Sequence, residues 1–314
     1  MSRIHEAMQK AALEAPAAPA TDVAAFPFEP EPLSHHEAKS VPSAVLGSLA
    51  QVAAPAFAVP LQLDELQKQC AHPTWRPDVN SSVFADPALS SVGAEQFRTL
   101  RSRMYQLRSS QPLRKILLTS AVSGEGKTFV AANLAQAIVR QRDRRVLIID
   151  ADLRSPRLHL VLGASTAPGL SDYLRGDIDE VAAIQSEKEG SLYFIPSGTK
   201  IGNPSELLSN GRLKQLLDRV GSLFDWIIID SPPCLPVADP CVIADVCDGL
   251  LLVVKAGSTP AELAQRARHE LEGRNVLGVV LNSVDEKALT YGSFYNNKYQ
   301  VEDSVEAAAS RISD

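Results

Sequence analysis

The string AVSGEGKT at residues 121–128 restricts the possible folds of this chain more than any other stretch. It follows the apolar run KILLTS and precedes a helical stretch that begins VAANLAQAI. Gly124 and Gly126 let successive backbone amides turn towards an anion, and the start of a helix favours negative charge. The string departs from G-x-x-x-x-G-K-[ST] only at Ala121, which takes the first glycine position. It predicts a phosphate-binding loop between a buried strand and a helix.

We expect this loop and the start of the helix to contact a nucleotide. The Lys127 ammonium would reach the β- and γ-phosphates, and the Thr128 hydroxyl would bind Mg²⁺. ATP and Mg²⁺ are therefore the predicted cofactors. The residues predicted to contact the nucleotide in this segment are Ser123, Gly124, Glu125, Gly126, Lys127, Thr128 and Phe129.

Short apolar runs alternate with helical stretches from residue 90 onward. Continuous apolar runs of this length are typical of strands buried on both faces, and the helices between them supply right-handed crossovers. We therefore predict an α/β fold, with a P-loop NTPase-like, mostly parallel sheet flanked by helices. Ligands in such folds lie beyond the carboxyl ends of the strands. In chain order the runs are KILLTS, RVLIIDAD, LYFIPSG, DWIIIDSPP, GLLLVVKAG and NVLGVVLNS.

Two of these strands end in acidic side chains. Asp150 and Asp152 in LIIDADLR have the same side-chain parity on an extended segment, so both can face one site. Asp230 ends the strand in IIIDSPP, a Walker B pattern in which a carboxylate holds Mg²⁺ directly or through water. We predict Thr128, Asp150 and Asp230 as the residues that hold the metal.

Residues 1–90 differ in composition from the rest of the chain. They contain eleven of the 21 prolines, and five Lys or Arg against ten Asp or Glu give a net charge of −5. Such a segment has few large side chains that could offset the entropy of ordering it. We therefore predict a long, mostly disordered N-terminal tether over residues 1–90, with a short helix at MSRIHEAMQKAALEA. The P-loop domain would follow over residues 91–290, and a C-terminal tail over residues 291–314.

Residues 40–63 contain no charged side chain and have borderline hydropathy for a membrane span. Pro42, Pro55 and Pro60 argue against a single spanning helix, because no neighbouring helix would satisfy the backbone groups that they free. We interpret this stretch as linker. The N-terminus has no apolar region typical of a signal peptide, so we expect a cytoplasmic protein.

The net charge of −6 argues against general nucleic-acid binding, which would need a basic face. The four cysteines form no CxxC pair, and the histidines do not cluster, so no thiolate metal site is expected. Nucleotide chemistry at the strand ends remains the best-supported function.

With these motifs in place, the chain resembles the bacterial tyrosine kinases, P-loop enzymes of exopolysaccharide and capsule synthesis, from about residue 90 to 300. DADLRSP is similar to the second Walker motif of that family, and GLSDYL, GNPSELL and GVVLN follow in the family's order. The resemblance implies self-assembly into a ring through Glu95, Arg98 and Arg101, which form an E-x-x-R-x-x-R pattern. The first residues, MSRIHEAMQKA, are similar to the N-terminal sequence of the kinase subgroup found in exosortase-linked polysaccharide loci.

The resemblance implies an ATP- and Mg²⁺-dependent protein-tyrosine autokinase that regulates polysaccharide chain length and export. Its catalytic residues would be Lys127, Asp150, Asp152 and Arg154. A phenol has a pKa of about 10, so its oxygen gains from a nearby base, and either Asp150 or Asp152 could be that base. Arg154 would stabilise transition-state charge or form an ion pair.

At the end of the strand in GVVLN, Asn282 has two open interpretations. The resemblance suggests that it donates a hydrogen bond to adenine. An asparagine at the turn that ends a strand is equally consistent with the sequence.

The tail contains Tyr291, Tyr295 and Tyr299, half of the six tyrosines in the chain. These are the predicted phosphoacceptors, and they would reach the site of a neighbouring subunit. The resemblance also implies a membrane-bound co-polymerase as activator, which would recruit the chain to the inner face of the cell membrane.

The main alternative is a nucleotide-switched ATPase of the Min and Par type, which would act as an assembly regulator without tyrosine transfer. Those proteins carry a signature lysine at the position of Val122 and usually lack the D-x-D-x-R spacing. Both differences favour the kinase. Two features depart from the kinase pattern: Ser123 stands where a proline is common, and three tyrosines are few for the tail.

Overall fold

Seven strands form one sheet in the computed structural model, which describes residues 61–84, 90–187 and 190–284. Their order across the sheet is β3-β4-β2-β5-β1-β6-β7, and every pair is parallel except β3 with β4. The predicted mostly parallel sheet is confirmed. The strands are β1 (Lys115–Ser120), β2 (Val146–Asp150), β3 (Gln185–Ser186), β4 (Leu192–Ile195), β5 (Trp226–Asp230), β6 (Gly249–Lys255) and β7 (Val276–Asn282).

Helices cover both faces of this sheet. Short single-turn 3₁₀ segments also occur at Val79–Ser81 and Gly221–Leu223. The α-helices in the described residues are α1 (Leu63–Gln69), α2 (Ser90–Ser110), α3 (Lys127–Val139), α4 (Leu158–Leu162), α5 (Leu170–Arg175), α6 (Glu180–Ala183), α7 (Pro204–Leu208), α8 (Arg212–Val220), α9 (Asp239–Ala244) and α10 (Ala261–Glu270).

Each face of the sheet has its own hydrophobic core, because successive strand side chains point to opposite faces. On one face Leu118 and Ile148 pack with residues of α2 and α3. On the other face Leu117 and Ile149 pack with residues of α8 and α10. Strands β2 and β5 are buried along their whole length, which explains their uninterrupted apolar sequences.

Residues 61–84 are folded against this domain, so the prediction of a tether up to residue 90 is wrong for this stretch. Leu66 on α1 and Trp75 are buried. The Trp75 indole donates a hydrogen bond to Gln185 Oε1 (3.3 Å) and packs edge-on against Phe194, with ring centroids 6.2 Å apart. A few large apolar side chains are enough to anchor a segment whose average composition resembles a linker.

The remaining predictions for the two ends of the chain lie outside the described residues. These are the N-terminal helix, nearly all of the stretch at 40–63, and the tail tyrosines. Among the residues that the structure describes, no helix combines the length and the hydropathy that a membrane span requires.

Candidate functional site

The loop between β1 and α3 has the backbone of a phosphate cradle. Gly124 and Gly126 take φ values of +86° and +91°, which side chains with a Cβ rarely adopt. Within the described part of the chain, no acceptor contacts the backbone amides from Ser123 to Phe129. Consecutive free amides at the start of a helix form an anion-binding site. The local geometry is therefore that predicted from the sequence.

Glu125 turns its side chain away from this cradle and into the protein, where only 2% of it is exposed. The Glu125 carboxylate accepts hydrogen bonds from the Val122 amide (2.7 Å) and from the Thr259 hydroxyl (2.5 Å). Its charge is thus kept away from the phosphate side of the loop. Thr259 lies between β6 and α10, far along the sequence, and no local pattern singled it out.

Asn282, at the end of β7, also holds the loop. Its side-chain amide donates a hydrogen bond to the Glu125 carbonyl (2.9 Å), and a Cβ at Gly126 would lie only 2.0 Å from the same nitrogen. The Gly126 position therefore needs glycine both for its φ value and for this close approach. The contact with adenine predicted for Asn282 stays a prediction.

Three carboxylates surround the ammonium of Lys127. Its Nζ lies 3.1 Å from Asp152 Oδ2, and the adjacent Thr128 hydroxyl donates to Asp230 Oδ2 (2.6 Å). Asp150 and Asp230 are side by side in the register of β2 and β5, and both are fully buried. The structure thus brings together the acidic strand ends and the phosphate loop.

The two aspartates of the DAD motif differ in their surroundings. Asp150 accepts the amides of Asp152 (3.2 Å) and Leu158 (3.1 Å), one on each oxygen, and so shapes the turn from β2 to α4. Asp152 accepts the Ser155 amide (3.0 Å) on one oxygen and faces Lys127 with the other. Of the two aspartates, Asp152 is therefore the one with a carboxylate oxygen directed towards Lys127 of the phosphate loop.

The crowding of like charges changes the ionisation of the site. Burial, together with the charge of Asp230, raises the pKa of Asp150 well above its usual range. Burial raises the pKa of Asp230 to about 6, even though Lys127 and the Thr128 hydroxyl lower it. Burial also tends to lower the pKa of Lys127, but the three carboxylates outweigh it and raise that pKa overall. The site is thus short of positive charge.

The residues around Asp230 fit a Mg²⁺ ion. Asp230 Oδ1 is buried, and within the described residues it has no hydrogen-bond partner. The described part of the chain contains no cluster of three or more His, Cys, Asp or Glu side chains that could enclose a metal. Mg²⁺ is commonly held by one or two carboxylates together with substrate phosphates and water. Thr128 and Asp230 would provide such a site, whereas both oxygens of Asp150 already accept backbone amides.

Arg154 forms an ion pair within the protein. Its Nε donates to Asp239 Oδ2 (2.7 Å), and its Nη2 donates to Asp239 Oδ1 (3.1 Å) and to the Ser205 hydroxyl (2.8 Å). Burial tends to raise the pKa of Asp239, but the hydrogen bonds that Arg154 and the Ser205 hydroxyl donate to it, together with the Arg154 charge, keep it below its usual value. Of the two interpretations of Arg154, the ion pair is the one observed, although its partner is buried. A contribution to the transition state stays a prediction.

The remaining predicted residues lie around the loop and along α2. Ser123 is exposed at the mouth of the loop. The Phe129 ring packs edge-on against Phe97 of α2, with centroids 5.9 Å apart, so only its backbone amide faces the cradle.

Two of the three residues predicted to mediate assembly are exposed. On α2, Glu95 and Arg98 pair at 3.0 Å on the surface. Arg101 instead donates to the Ala137 carbonyl (2.6 Å) at the end of α3, so it joins two helices of the same chain. Ring formation through these residues stays a prediction.

Comparisons with known proteins agree with this site. The family model described as the CobQ/CobB/MinD/ParA nucleotide binding domain matches residues 116–303. Over 220 residues the chain is 34% identical to the tyrosine-protein kinase YwqD of Bacillus subtilis, covering 69% of this chain and 92% of YwqD. It is 36% identical over 211 residues to the tyrosine-protein kinase etk of Escherichia coli K12, covering 67% of this chain and 29% of that longer protein.

A solved structure leads to the same family. The kinase domain of the Escherichia coli tyrosine kinase ETK has a TM-score of 0.59 and 31% sequence identity, covering 71% of this chain and 95% of that domain. The family resemblance predicted from the sequence is therefore confirmed. The chain therefore belongs to the bacterial tyrosine kinase family, and it is a protein-tyrosine kinase with a P-loop nucleotide-binding domain.

Proposed function

We propose that this kinase uses ATP and Mg²⁺ to phosphorylate tyrosines in the C-terminal tail of neighbouring copies of the same chain. This autophosphorylation would regulate the synthesis and export of an exopolysaccharide or capsular polysaccharide. One observation carries the proposal: Lys127, Asp152, Thr128 and Asp230 converge beneath a loop of free backbone amides. Phosphoryl transfer depends mainly on positioning and charge neutralisation, which such a group provides.

Each residue has a distinct task in this proposal. The loop amides and the Lys127 ammonium bind and orient the β- and γ-phosphates. Thr128 and Asp230 hold Mg²⁺, which supplies positive charge to the transferring phosphoryl group when it is bound. Glu125, Thr259 and Asn282 keep the loop in the conformation that exposes its amides.

We assign the proton acceptor to Asp152. A phenol with a pKa of about 10 must lose its proton as its oxygen attacks, so a carboxylate within reach assists the transfer. Asp152 Oδ2 contacts Lys127 and accepts no backbone amide, whereas both oxygens of Asp150 are hydrogen-bonded to backbone amides. Asp150 instead positions Asp152 by fixing the turn that carries it.

The acceptors in this proposal are Tyr291, Tyr295 and Tyr299. They begin nine residues after Asn282, the last residue of β7, whose carboxyl end lies beside the phosphate loop. Each phosphate adds about −1.5 to −2 charge, which would oppose contacts between subunits of a ring. We further propose that a membrane-bound polysaccharide co-polymerase activates the kinase and recruits it to the inner face of the membrane.

The test is incubation of the purified chain with Mg²⁺ and ATP, with and without a soluble activator fragment, followed by mapping of phosphotyrosine by mass spectrometry. We expect phosphate on one or more of the three tail tyrosines. Lys127→Ala should remove the signal, and the triple Phe variant at 291, 295 and 299 should remove it without reducing nucleotide binding. Equal labelling of the Lys127→Ala chain would contradict the proposal.

The same experiment also tests the alternative, a nucleotide-switched ATPase without tyrosine transfer. That function predicts ATP hydrolysis that depends on Lys127, no phosphotyrosine at any position, and full activity of the triple Phe variant. Measurement of released phosphate alongside phosphotyrosine therefore separates the two.

A further inference from the structure

An open apolar groove lies between α2 and the outer strand β7. It encloses about 690 Å³. Its polar rim is formed by Thr99, Ser102, Arg103 and Gln106 of α2. An apolar groove of this kind can accept the apolar face of an amphipathic helix. Its apolar lining is formed by Leu100, Met104, Leu107, Leu251, Leu277 and Val280.

Gly278 creates much of the space in this groove. A Cβ at Gly278 would meet no other atom within 4 Å, and its φ value is not in the left-handed region. A side chain at this position would therefore fill the groove without backbone strain. Its absence leaves room for small side chains or a helix backbone to approach the sheet closely.

The last residues of the chain have the pattern of a helix that fits this groove. In VEDSVEAAASRISD, Val305, Ala308, Ala309 and Ile312 recur at i, i+3, i+4 and i+7, which places them on one face of a helix. Asp303 is followed three residues later by Glu306, a pattern typical of a helix start. The face is narrow and contains two alanines, as close approach to Gly278 requires.

Charge favours the same pairing. Residues 301–314 contain four acidic residues and one arginine, a net charge of −3. Of the four arginines of α2, Arg98 pairs with Glu95, and Arg101 and Arg108 donate to backbone carbonyls, which leaves Arg103 to face the groove. Arg103 is on the rim of the groove and is exposed, and within the described residues no carboxylate pairs with it. Two α2 helices from neighbouring copies would instead place like charges together.

We propose that residues 301–314 dock as an amphipathic helix in the groove between α2 and β7 of the same chain. Strand β7 ends at Asn282, and residues 283–300 are long enough to return along a strand of seven residues. The docked helix would cover the outer side of β7, where an edge strand otherwise presents unpaired backbone groups.

Docking would restrain the phosphoacceptor segment. Residues 283–300, which include Tyr291, Tyr295 and Tyr299, would form a loop tied at both ends, to β7 and to the groove. Undocking would free them to reach a neighbouring subunit. This consequence rests on the proposed function, but the docking does not, and its test needs no kinase activity.

The test is hydrogen exchange measured by mass spectrometry on the unphosphorylated full chain. Ile312→Glu places a charge on the docking face, and we expect the amides of α2 and β7 that line the groove to exchange about tenfold faster. Ser310→Glu adds the same charge on the opposite face of the helix and should leave exchange unchanged. Gly278→Leu fills the groove from the domain side and should expose the amides of residues 301–314.

The outcomes decide between three occupants. Equal exchange in the wild type and in Ile312→Glu would overturn the proposal, because the groove would then be empty of this segment. If Gly278→Leu instead changed the mass of the particle in light scattering and left the exchange of residues 301–314 unaltered, a second copy would be the occupant. If the groove amides of α2 and β7 exchanged more slowly only after the activator fragment was added, that partner would be the occupant. Both of the last two results contradict intramolecular docking.

Discussion

Two regions of one sheet differ in the kind of side chain that they bury or expose. At the carboxyl ends of β2 and β5, Asp150 and Asp230 are fully buried beside a single ammonium, an arrangement that costs free energy in charge desolvation. On the outer strand β7, the apolar side chains of Val279 and Leu281 are 61% and 56% exposed. A buried excess of negative charge is explained by a cationic ligand, whereas single aliphatic side chains on an edge strand can stay exposed to water without a partner. The two regions thus depart from the rules of a stable core in opposite directions.

The largest effect is expected where a single lysine balances the buried carboxylates. Lys127→Met should lower the rate of tyrosine phosphorylation roughly 10²–10³-fold, because it removes a charge that neutralises the transferring phosphate. The measurement is the initial rate of phosphotyrosine formation at saturating ATP. Lys115→Met is the matched control, since Lys115 begins β1, at the opposite end of this strand from the phosphate loop, and pairs with Asp218 at 3.6 Å. A Lys127→Met rate within tenfold of wild type would show that this ammonium is not central.

The next prediction tests whether the buried charge destabilises the fold. The pKa of Asp230 is raised from its ordinary 3.8 to about 6, so ionisation of this group opposes folding. That penalty is absent below the ordinary pKa, develops between pH 4 and 6, and is complete above about 6, where a two-unit shift corresponds to about 3 kcal/mol.

Asp230→Asn should therefore raise the free energy of unfolding at pH 7.5 by up to about 3 kcal/mol while abolishing activity. The asparagine oxygen can still accept the Thr128 hydroxyl. Urea denaturation between pH 4 and 8 measures the gain, which should shrink as the pH falls. Asp218→Asn, at an exposed ion pair, is the control. An Asp230→Asn chain that is less stable than wild type at pH 7.5 would contradict this account.

A smaller effect is expected at the hydrogen bond that orients Glu125. Thr259→Val leaves the buried carboxylate without one donor, which should destabilise the loop by about 1–3 kcal/mol and weaken nucleotide binding. Thr259→Ser keeps the hydroxyl and should restore both. Isothermal titration with Mg²⁺ and a non-hydrolysable ATP analogue measures the affinity. Equal weakening by valine and serine would assign the effect to packing rather than to the hydrogen bond.

The smallest effect is expected on β7. Leu281→Thr should change the free energy of unfolding by no more than about 0.5 kcal/mol, because its side chain is already in solvent. On the neighbouring strand, Leu252→Ala should cost about 2–5 kcal/mol, since Leu252 is buried. Thermal denaturation of both variants compares the two strands. Similar losses would mean that Leu281 is covered in solution.

The parts of this molecule that the sequence predicted are those with local signals. Buried strands are continuous apolar runs, and the loop needs two glycines and a lysine at fixed spacing, so the sheet and the site at its carboxyl edge were both foreseeable. The parity of Asp150 and Asp152 on an extended segment was enough to place both at that edge.

The parts that the sequence did not predict depend on partners distant along the chain. Nothing near Trp75 shows that Gln185 and Phe194 would bury it, so residues 61–84 looked like a tether. Thr259 gained its role only because the fold brings it to Glu125. Likewise, the pairing of Arg154 with Asp239 could not be distinguished from a catalytic role until β5 and the start of α9 were placed beside β2.

The most direct test of the central claim mixes two variant chains, one that lacks the acceptor tyrosines and one that lacks the catalytic lysine. One chain carries Phe at 291, 295 and 299 and keeps its phosphate site, and the other carries Lys127→Met and keeps its tail. With Mg²⁺ and ATP, and the activator fragment if the wild type requires it, we predict phosphotyrosine in the mixture, confined to the tail of the Lys127→Met chain. No phosphotyrosine in the mixture under conditions that label the wild type, or label elsewhere than these three tyrosines, would contradict transfer from this site to a neighbour's tail.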